Sequence, residues 1–154
     1  MPGHRTLLHD NAITWGSYAI VMIALAAVAF GGLVRLPFDT DDSDYIRDAQ
    51  AALDAPSLLF APDNRLPGRP VVEILFLAAY SLWGDDPAGY HLLLVGLHLC
   101  ASLLFAYTLR RLGASPELSF LGGLFFLLNV AHFRAVQWIS CAAYPLALMF
   151  GLAA

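Results

Sequence analysis

Uncharged apolar stretches dominate the pattern of hydrophobic and polar positions along this chain. Residues 15–34, 90–109 and 118–133 carry no charged side chain, and a fourth apolar segment runs from Cys141 to Ala154. A run of ~20 apolar residues forms a helix of about 30 Å, which matches the hydrocarbon core of a bilayer. Lipid cannot satisfy exposed backbone groups, and the runs lack the alternation of barrel strands. The pattern predicts an all-α polytopic membrane protein with about four transmembrane helices, the fourth truncated.

The charges between the apolar runs predict how the chain crosses the membrane. Cytoplasmic loops are enriched in Lys and Arg, which favours a cytoplasmic position for Arg5 and for the Arg110-Arg111 pair. Ten of the twelve acidic residues lie between positions 35 and 89. We therefore expect a cytoplasmic N-terminus (1–14), transmembrane helix 1 (15–34), an external loop (35–89), transmembrane helix 2 (90–109), a cytoplasmic loop (110–117), transmembrane helix 3 (118–131), an external turn (132–140) and the start of transmembrane helix 4 (141–154).

The segment 70–84 has two interpretations. It carries Pro at its first turn and Gly at its end, as helices do, but its ~14 apolar residues make only about 21 Å of helix. If it crossed the membrane, Asp85-Asp86 would be cytoplasmic and Arg110-Arg111 external, against the positive-inside bias. We therefore predict a juxtamembrane helix near 70–84 on the outer surface, in addition to one near 42–54.

The first apolar run has an alternative interpretation as a cleaved signal peptide. Small residues near its end are compatible with a cleavage site: Ala27, Ala29, Gly31 and Gly32. The charge-free run is longer than the ~7–15 residues of a signal h-region. An uncleaved transmembrane helix is the favoured interpretation.

Composition narrows the class of protein further. The 154 residues are 59% hydrophobic and 13% charged, whereas soluble domains carry about 25% charged residues. A net charge of −4 without a basic block argues against a nucleic-acid partner. Cys100 and Cys141 lie in or beside apolar runs, which is typical of small buried hydrophobes and indicates no disulfide framework.

An acidic cluster follows the first predicted span. Five Asp residues occur within ten positions: Asp39, Asp41, Asp42, Asp44 and Asp48. Apolar residues at helical spacing follow, so we expect an amphipathic helix to begin near Asp42 or Ser43. Acids at a helix start can simply cap it and complement its dipole. Carboxylates at the edge of a bilayer can also hold a divalent cation or act as a general base.

Arg69 begins the second predicted juxtamembrane helix. A guanidinium beside lipid headgroups is often only an anchor. It is also the side chain best suited to hold a phosphate, because its planar fork donates two parallel hydrogen bonds.

The order of short motifs resembles the N-terminal part of the GT-C superfamily of polyprenyl-phosphate-sugar glycosyltransferases. This superfamily includes the protein O-mannosyltransferases and the lipid A aminoarabinose transferase. The chain is most similar to the membrane module of the tetratricopeptide-repeat O-mannosyltransferases and their bacterial relatives. The resemblance covers nearly all of residues 15–154, and these motifs carry it: Asp41-Asp42, Arg69-Pro70, Leu82-Trp83-Gly84, Gly89-Tyr90-His91, His98, Arg110-Arg111, Ala131-His132 and Val136-Gln137-Trp138-Ile139-Ser140.

The resemblance implies a function and a set of site residues. The family fold has a first external loop with two juxtamembrane helices, whose first acid lies at the catalytic centre. That position matches Asp41, with Asp42 beside it, and a divalent cation, if one is bound, would lie on one of them. Arg69, His91 and His132 match substrate-binding positions. A lipid-linked sugar donor and membrane lipid are the implied partners, and a bacterial inner membrane is the implied location.

The chain departs from the family pattern at several positions. Leu94 replaces an Asn, Asn129-Val130 replaces His-Pro, Arg134 replaces a Glu, and Tyr144 replaces a second external acid. These substitutions fall at positions that the resemblance connects with metal binding, with the choice of donor sugar and with activity itself.

Three functional hypotheses follow. The first is an N-terminal fragment of a membrane glycosyltransferase that moves a sugar from a polyprenyl phosphate to an external acceptor. The second is a truncated or degenerate, non-catalytic membrane protein of the same fold, or a membrane assembly partner. The third, a transporter subunit, ranks last because the predicted spans contain no charged residue. No cofactor motif is evident, and neither the sugar nor the acceptor is indicated.

Overall fold

The computed structural model describes residues 3–60 and 69–154, so residues 61–68 of the predicted external loop lie outside the described part. Every regular element in the described part is a helix, which confirms the helical fold class. Four short 3₁₀ turns connect or extend the helices: Gly31–Arg35, Pro56–Phe60, Val130–His132 and Ile139–Ala142. The α-helices are α1 (Gly3–Phe30), α2 (Asp42–Asp54), α3 (Pro70–Trp83), α4 (Pro87–Arg111), α5 (Pro116–Leu128), α6 (Phe133–Gln137) and α7 (Ala143–Ala153).

Two segments are long and apolar enough to cross a membrane. They are Trp15–Arg35, formed by the end of α1 and its 3₁₀ extension, and Pro87–Arg111. A third candidate is a pair of segments, Pro116–Leu128 and Val130–Gln137, which are bent by 45° at Asn129. The apolar helices Val71–Trp83 and Ile139–Ala153 are shorter. The described residues therefore supply two candidate spans, or three if the bent pair counts as one.

Local sequence explains where the central helix and its neighbour begin. Asp86 caps α4 by accepting a hydrogen bond from the Ala88 amide (3.0 Å), and Pro87 occupies the first turn. Ser115 caps α5 by accepting from the Leu118 amide (3.2 Å). Both helices thus begin with a polar cap followed by Pro, the arrangement that satisfies free amides at a helix start.

The break after α5 differs from the continuous span predicted for 118–131. α5 ends at Leu128, and the Asn129 side chain accepts a hydrogen bond from the Ala131 amide (3.0 Å). This bond caps a new 3₁₀ turn rather than extending the helix. Asn competes for backbone donors in this way because its side chain is short and polar. The chain therefore turns earlier than its hydropathy alone indicates.

Helix α4 lies at the centre of the packing. One apolar cluster packs α1 with its 3₁₀ extension, α5 and α6 against α4. Its buried residues are Met22, Ala26, Phe30, Leu33, Leu127 and Val136. Gly123 of α5 permits close approach, because a Cβ atom there would lie 2.7 Å from the Ala106 Cβ and 3.0 Å from the Ser102 carbonyl oxygen. Small residues at helix interfaces serve this purpose in membrane proteins.

A second apolar cluster joins α2 and α3 to the first two turns of α4. Its buried residues are Ile46, Ala49, Val72, Phe76, Ala79, Tyr90, Leu94, Ile139 and Ala142. Tyr90 is the meeting point: its ring centroid lies 5.5 Å from Phe38, 6.2 Å from Phe76 and 5.8 Å from Trp83. Because Phe76 and Trp83 both meet the same residue, α3 packs across the beginning of α4.

Candidate functional site

Two neighbouring aspartates at the start of α2 bind the turn that precedes α7. The indole N–H of Trp138 donates to Asp41 Oδ1 (3.0 Å), and the Ser140 amide donates to Asp42 Oδ1 (2.9 Å). The Ser140 hydroxyl lies 2.9 Å from Asp41 Oδ1 and is also within hydrogen-bonding distance of Asp42 Oδ1. A hydroxyl has one proton to donate, so Ser140 serves one carboxylate at a time. These bonds join segments 97–99 positions apart.

Asp42 lies inside this junction. Its relative exposure is 0%, and its second oxygen, Oδ2, accepts from the Asp39 amide at 3.1 Å. Both carboxylate oxygens therefore bind the protein itself. This geometry does not favour the catalytic role predicted for Asp42 and indicates that it holds the Ser140 segment in place.

Asp41 is half-buried and oriented differently. It occupies the N-cap position of α2, but its side chain makes no capping hydrogen bond. Its Oδ1 binds Trp138 and Ser140, whereas Oδ2 has no hydrogen-bond partner among the described residues. The predicted capping hydrogen bond from the Asp41 side chain is therefore absent, although Asp41 lies at the N-terminus of the helix. One oxygen is anchored and the other remains available.

The backbone before Asp41 is strained. Thr40 has φ = 45°, in the left-handed region that β-branched residues rarely adopt. Such a residue costs about 1–3 kcal/mol and persists where the surroundings hold it in place. The turn around Thr40 is closed by two bonds between Asp39 and Asp42: the Asp42 amide donates to the Asp39 carbonyl (2.9 Å), and the Asp39 amide donates to Asp42 Oδ2 (3.1 Å).

A cleft of about 500 Å³ opens beside Asp41. Its polar lining comes from the start of α2, the start of α3 and the segment 138–144. These lining residues are Asp41, Tyr45, Arg69, Trp138, Ser140 and Tyr144. The structure thus brings two of the predicted site residues, Asp41 and Arg69, into one cleft. It also adds Tyr45 and Tyr144, to which the sequence pattern assigns no role, and Trp138 and Ser140, which the sequence indicates only as part of a motif.

Arg69 and Tyr45 are the other two polar groups that determine the electrostatics of the cleft beside Asp41. The backbone carbonyl of Arg69 accepts from the amides of Val72 (2.9 Å) and Glu73 (3.1 Å) at the start of α3, while its side chain is exposed. Burial raises the pKa of the Tyr45 phenol, an effect that Arg69 opposes and Asp41 reinforces. Tyr45 therefore stays protonated at neutral pH and can donate a hydrogen bond.

His91 and His132 do not line this cleft. His91 is 1% exposed in the core, and its ring nitrogens have no hydrogen-bond partner among the described residues. His132 donates Nδ1–H to the Phe126 carbonyl (3.0 Å) and lines a separate cavity of about 180 Å³ with His98. Tyr144 lines both spaces. The substrate-binding roles predicted for both residues therefore gain no support from their positions.

The described residues contain no group of three or more His, Cys, Asp or Glu side chains arranged to hold a metal ion. Divalent cations with oxygen ligands usually take six or more donors. In the cleft, Asp41 offers one carboxylate oxygen that is not already engaged. The predicted cation on Asp41 or Asp42 stays a prediction.

Comparison with known proteins found no matching family model, no matching curated protein and no matching solved structure. The chemistry of the cleft must therefore be judged from its own side chains. They provide an anchored carboxylate with one available oxygen, an exposed guanidinium and a protonated phenol. This set can accept a proton and bind an anion in the same space.

Proposed function

We propose that this chain is the N-terminal part of a membrane glycosyltransferase that moves a sugar from a polyprenyl-phosphate donor to an external acceptor. The observation that carries the proposal is the shared cleft of Asp41 and Arg69. A carboxylate with an available oxygen is what a transferase needs to activate an acceptor, and a guanidinium suits a phosphate. The motif resemblance to the GT-C superfamily supports the same assignment.

The proposal includes a polytopic topology. Trp15–Arg35, Pro87–Arg111 and the bent pair around Asn129 would cross the membrane, and α7 would begin a fourth span. The cleft would then lie on the external side at the bilayer surface, within reach of a lipid-linked donor. The packing of α3 across the first turns of α4 supports a juxtamembrane position for this 14-residue helix.

The cleft suggests a single-displacement mechanism. Asp41 Oδ2 removes the proton from an acceptor hydroxyl as its oxygen attacks the anomeric carbon of the donor sugar. The bond from that carbon to the phosphate oxygen breaks, and its electron pair leaves with polyprenyl phosphate. Arg69 stabilises the charge that develops on the leaving phosphate. Trp138 and Ser140 keep the carboxylate in position by holding its other oxygen.

The alternative is a non-catalytic membrane protein or assembly partner of the same fold. One observation favours it: the bonds of Asp41 to Trp138 and Ser140 already join two distant segments, which is a structural role. Under this alternative the available Oδ2 of Asp41 has no chemical role.

Replacing Asp41 by Asn in the full-length protein tests the proposal. Asn keeps an oxygen that accepts from Trp138 and Ser140 but loses the charge and the basic oxygen, so the fold should persist. We expect sugar transfer from a polyprenyl-phosphate donor to fall at least ~100-fold. Transfer is measured in lipid nanodiscs, and thermal unfolding of the same samples reports folding.

Asp48→Asn and Asp54→Asn are matched controls, because both residues lie on α2 outside the lining of the cleft. Both controls should transfer sugar at the wild-type rate. Near wild-type turnover by Asp41→Asn would sink the catalytic assignment and favour the structural alternative.

A further inference from the structure

A second arginine lies beside the cleft, on the segment that carries Trp138. Arg134 belongs to α6, and its guanidinium carbon lies 5.6 Å from the centroid of the Trp138 ring. This is the geometry of a cation–π contact. The same indole donates its N–H to Asp41 and lines the cleft. One side chain therefore fixes the carboxylate at its edge and supports a guanidinium on its face.

Arg134 is exposed and has no acidic partner in the described part of the chain. Among the described residues, Arg47 forms an ion pair with Asp44 on α2 (2.7 Å), and neither residue belongs to the cleft lining. Arg69 also lacks an acidic partner there.

Two guanidinium groups therefore lie at the cleft without an acidic partner in the described part: Arg69 in its lining and Arg134 on the face of Trp138. The nearby carboxylates of Asp41 and Asp42 are bound by Trp138 and Ser140 instead. A phosphodiester shares its negative charge between two oxygens, so each guanidinium can donate hydrogen bonds to one of them.

We propose that Arg134, supported on the face of Trp138, is a second phosphate-binding residue, and that Arg69 and Arg134 together hold the phosphodiester of the lipid-linked donor. The inference rests on the proposed function and deepens it. Stacking on an aromatic face leaves the N–H groups at the rim of a guanidinium free to donate to phosphate oxygens. Trp138 sets the distance between the base and this second guanidinium, since it contacts both.

Donor binding by the full-length protein in phosphatidylcholine nanodiscs tests the inference. The probe is a short-chain polyprenyl-phosphate sugar, and the measurement is the dissociation constant. Because a hydrogen bond to a charged group is lost, Arg134→Gln should weaken phosphate-donor binding about 10- to 100-fold. Arg134→Lys should recover part of the loss, since it restores the charge without the planar fork.

Arg47→Gln is the matched control, because it also removes an exposed cation but lies away from the cleft lining. It should bind the donor like the wild type. If Arg69→Gln weakens binding and Arg134→Gln does not, the inference is overturned while the proposed function stands. If donor binding is unchanged in both variants and Asp41→Asn still transfers sugar, the proposed function fails as well.

An anionic phospholipid is the other source of a phosphodiester with net negative charge, since the phosphate of phosphatidylcholine is balanced by its own choline cation. The binding assay is therefore repeated in nanodiscs that contain phosphatidylglycerol. If Arg134→Gln alters donor binding only when this anionic lipid is present, Arg134 binds a membrane headgroup and the inference is overturned. An equal loss in both membranes supports it.

Discussion

The two ends of the helix bundle are held together in different ways. At the cleft end, Asp41 and Asp42 bind Trp138 and Ser140 across 97–99 positions of sequence. At the opposite end, the turn from α4 to α5 is closed by local contacts. Arg110 donates to the carbonyl of Ala114 four positions later (2.9 Å), and Ser115 caps α5 three positions later. The cleft end is thus a tertiary junction between distant segments, whereas the opposite end is a local turn.

The difference explains why the cleft lies where it does. A local turn can satisfy its polar groups with neighbours in sequence, and Gly113, with φ = 97°, supplies the left-handed residue that this turn needs. The distant junction binds both oxygens of Asp42 but leaves one Asp41 oxygen without a hydrogen bond, and the Arg69 and Arg134 guanidinium groups have no acidic partner in the described part. Groups left available in a cleft are those that a ligand can use.

The largest effect should come from labelling the two ends from outside the cell. Single cysteines are introduced as Ser57→Cys, near the cleft end, and Leu112→Cys, at the opposite end, after replacing Cys100 and Cys141 by Ser. Both target side chains are exposed. An impermeant thiol reagent should label Ser57→Cys in intact cells and Leu112→Cys only after permeabilisation. Labelling of Leu112→Cys alone in intact cells would invert the proposed topology.

A smaller effect is expected from removing the buried carboxylate. Asp42→Ala leaves the amides of Asp39 and Ser140 without their acceptor. Because each buried unsatisfied donor costs about 1–3 kcal/mol, we expect the free energy of unfolding to fall by about 2–4 kcal/mol. Reversible unfolding in mixed detergent micelles measures this change.

Asp48→Ala is the control for that experiment, since Asp48 lies on the same helix and has no hydrogen bond in the described part. It should change the free energy of unfolding by less than about 0.5 kcal/mol. Equal losses in the two variants would show that the junction adds nothing to stability.

The smallest effect is expected at the opposite end. Ser115→Ala removes the cap of α5, which should lower the free energy of unfolding by about 1 kcal/mol or less and leave donor binding unchanged. Ser43→Ala, at an exposed position in the first turn of α2 without a hydrogen bond in the described part, should have almost no effect. A loss at Ser115 as large as that at Asp42 would contradict the contrast between a local turn and a tertiary junction.

Local sequence determined much of the helical framework. Long uncharged runs predicted helices, because a lipid environment would leave the backbone no other partner, and these runs are mostly helical in the structure. The helix Asp42–Asp54 occupies the range that the spacing of apolar residues indicates, and Pro70–Trp83 has Pro in its first turn and Gly directly after its end. These signals act within a few residues, so they can be detected without knowledge of the rest of the chain. The break at Asn129 depends on a single side-chain hydrogen bond, and hydropathy does not detect it.

The roles within the candidate site depended on the tertiary structure. In the sequence, Asp41 and Asp42 are adjacent and chemically identical, and both were predicted to be catalytic. In the fold, one is fully buried and holds Ser140, whereas the other keeps an oxygen available in the cleft with Arg69. What separates them is the position of Trp138 and Ser140, nearly a hundred residues away. Consecutive residues point in different directions, and only the packing of distant segments decides which direction is buried.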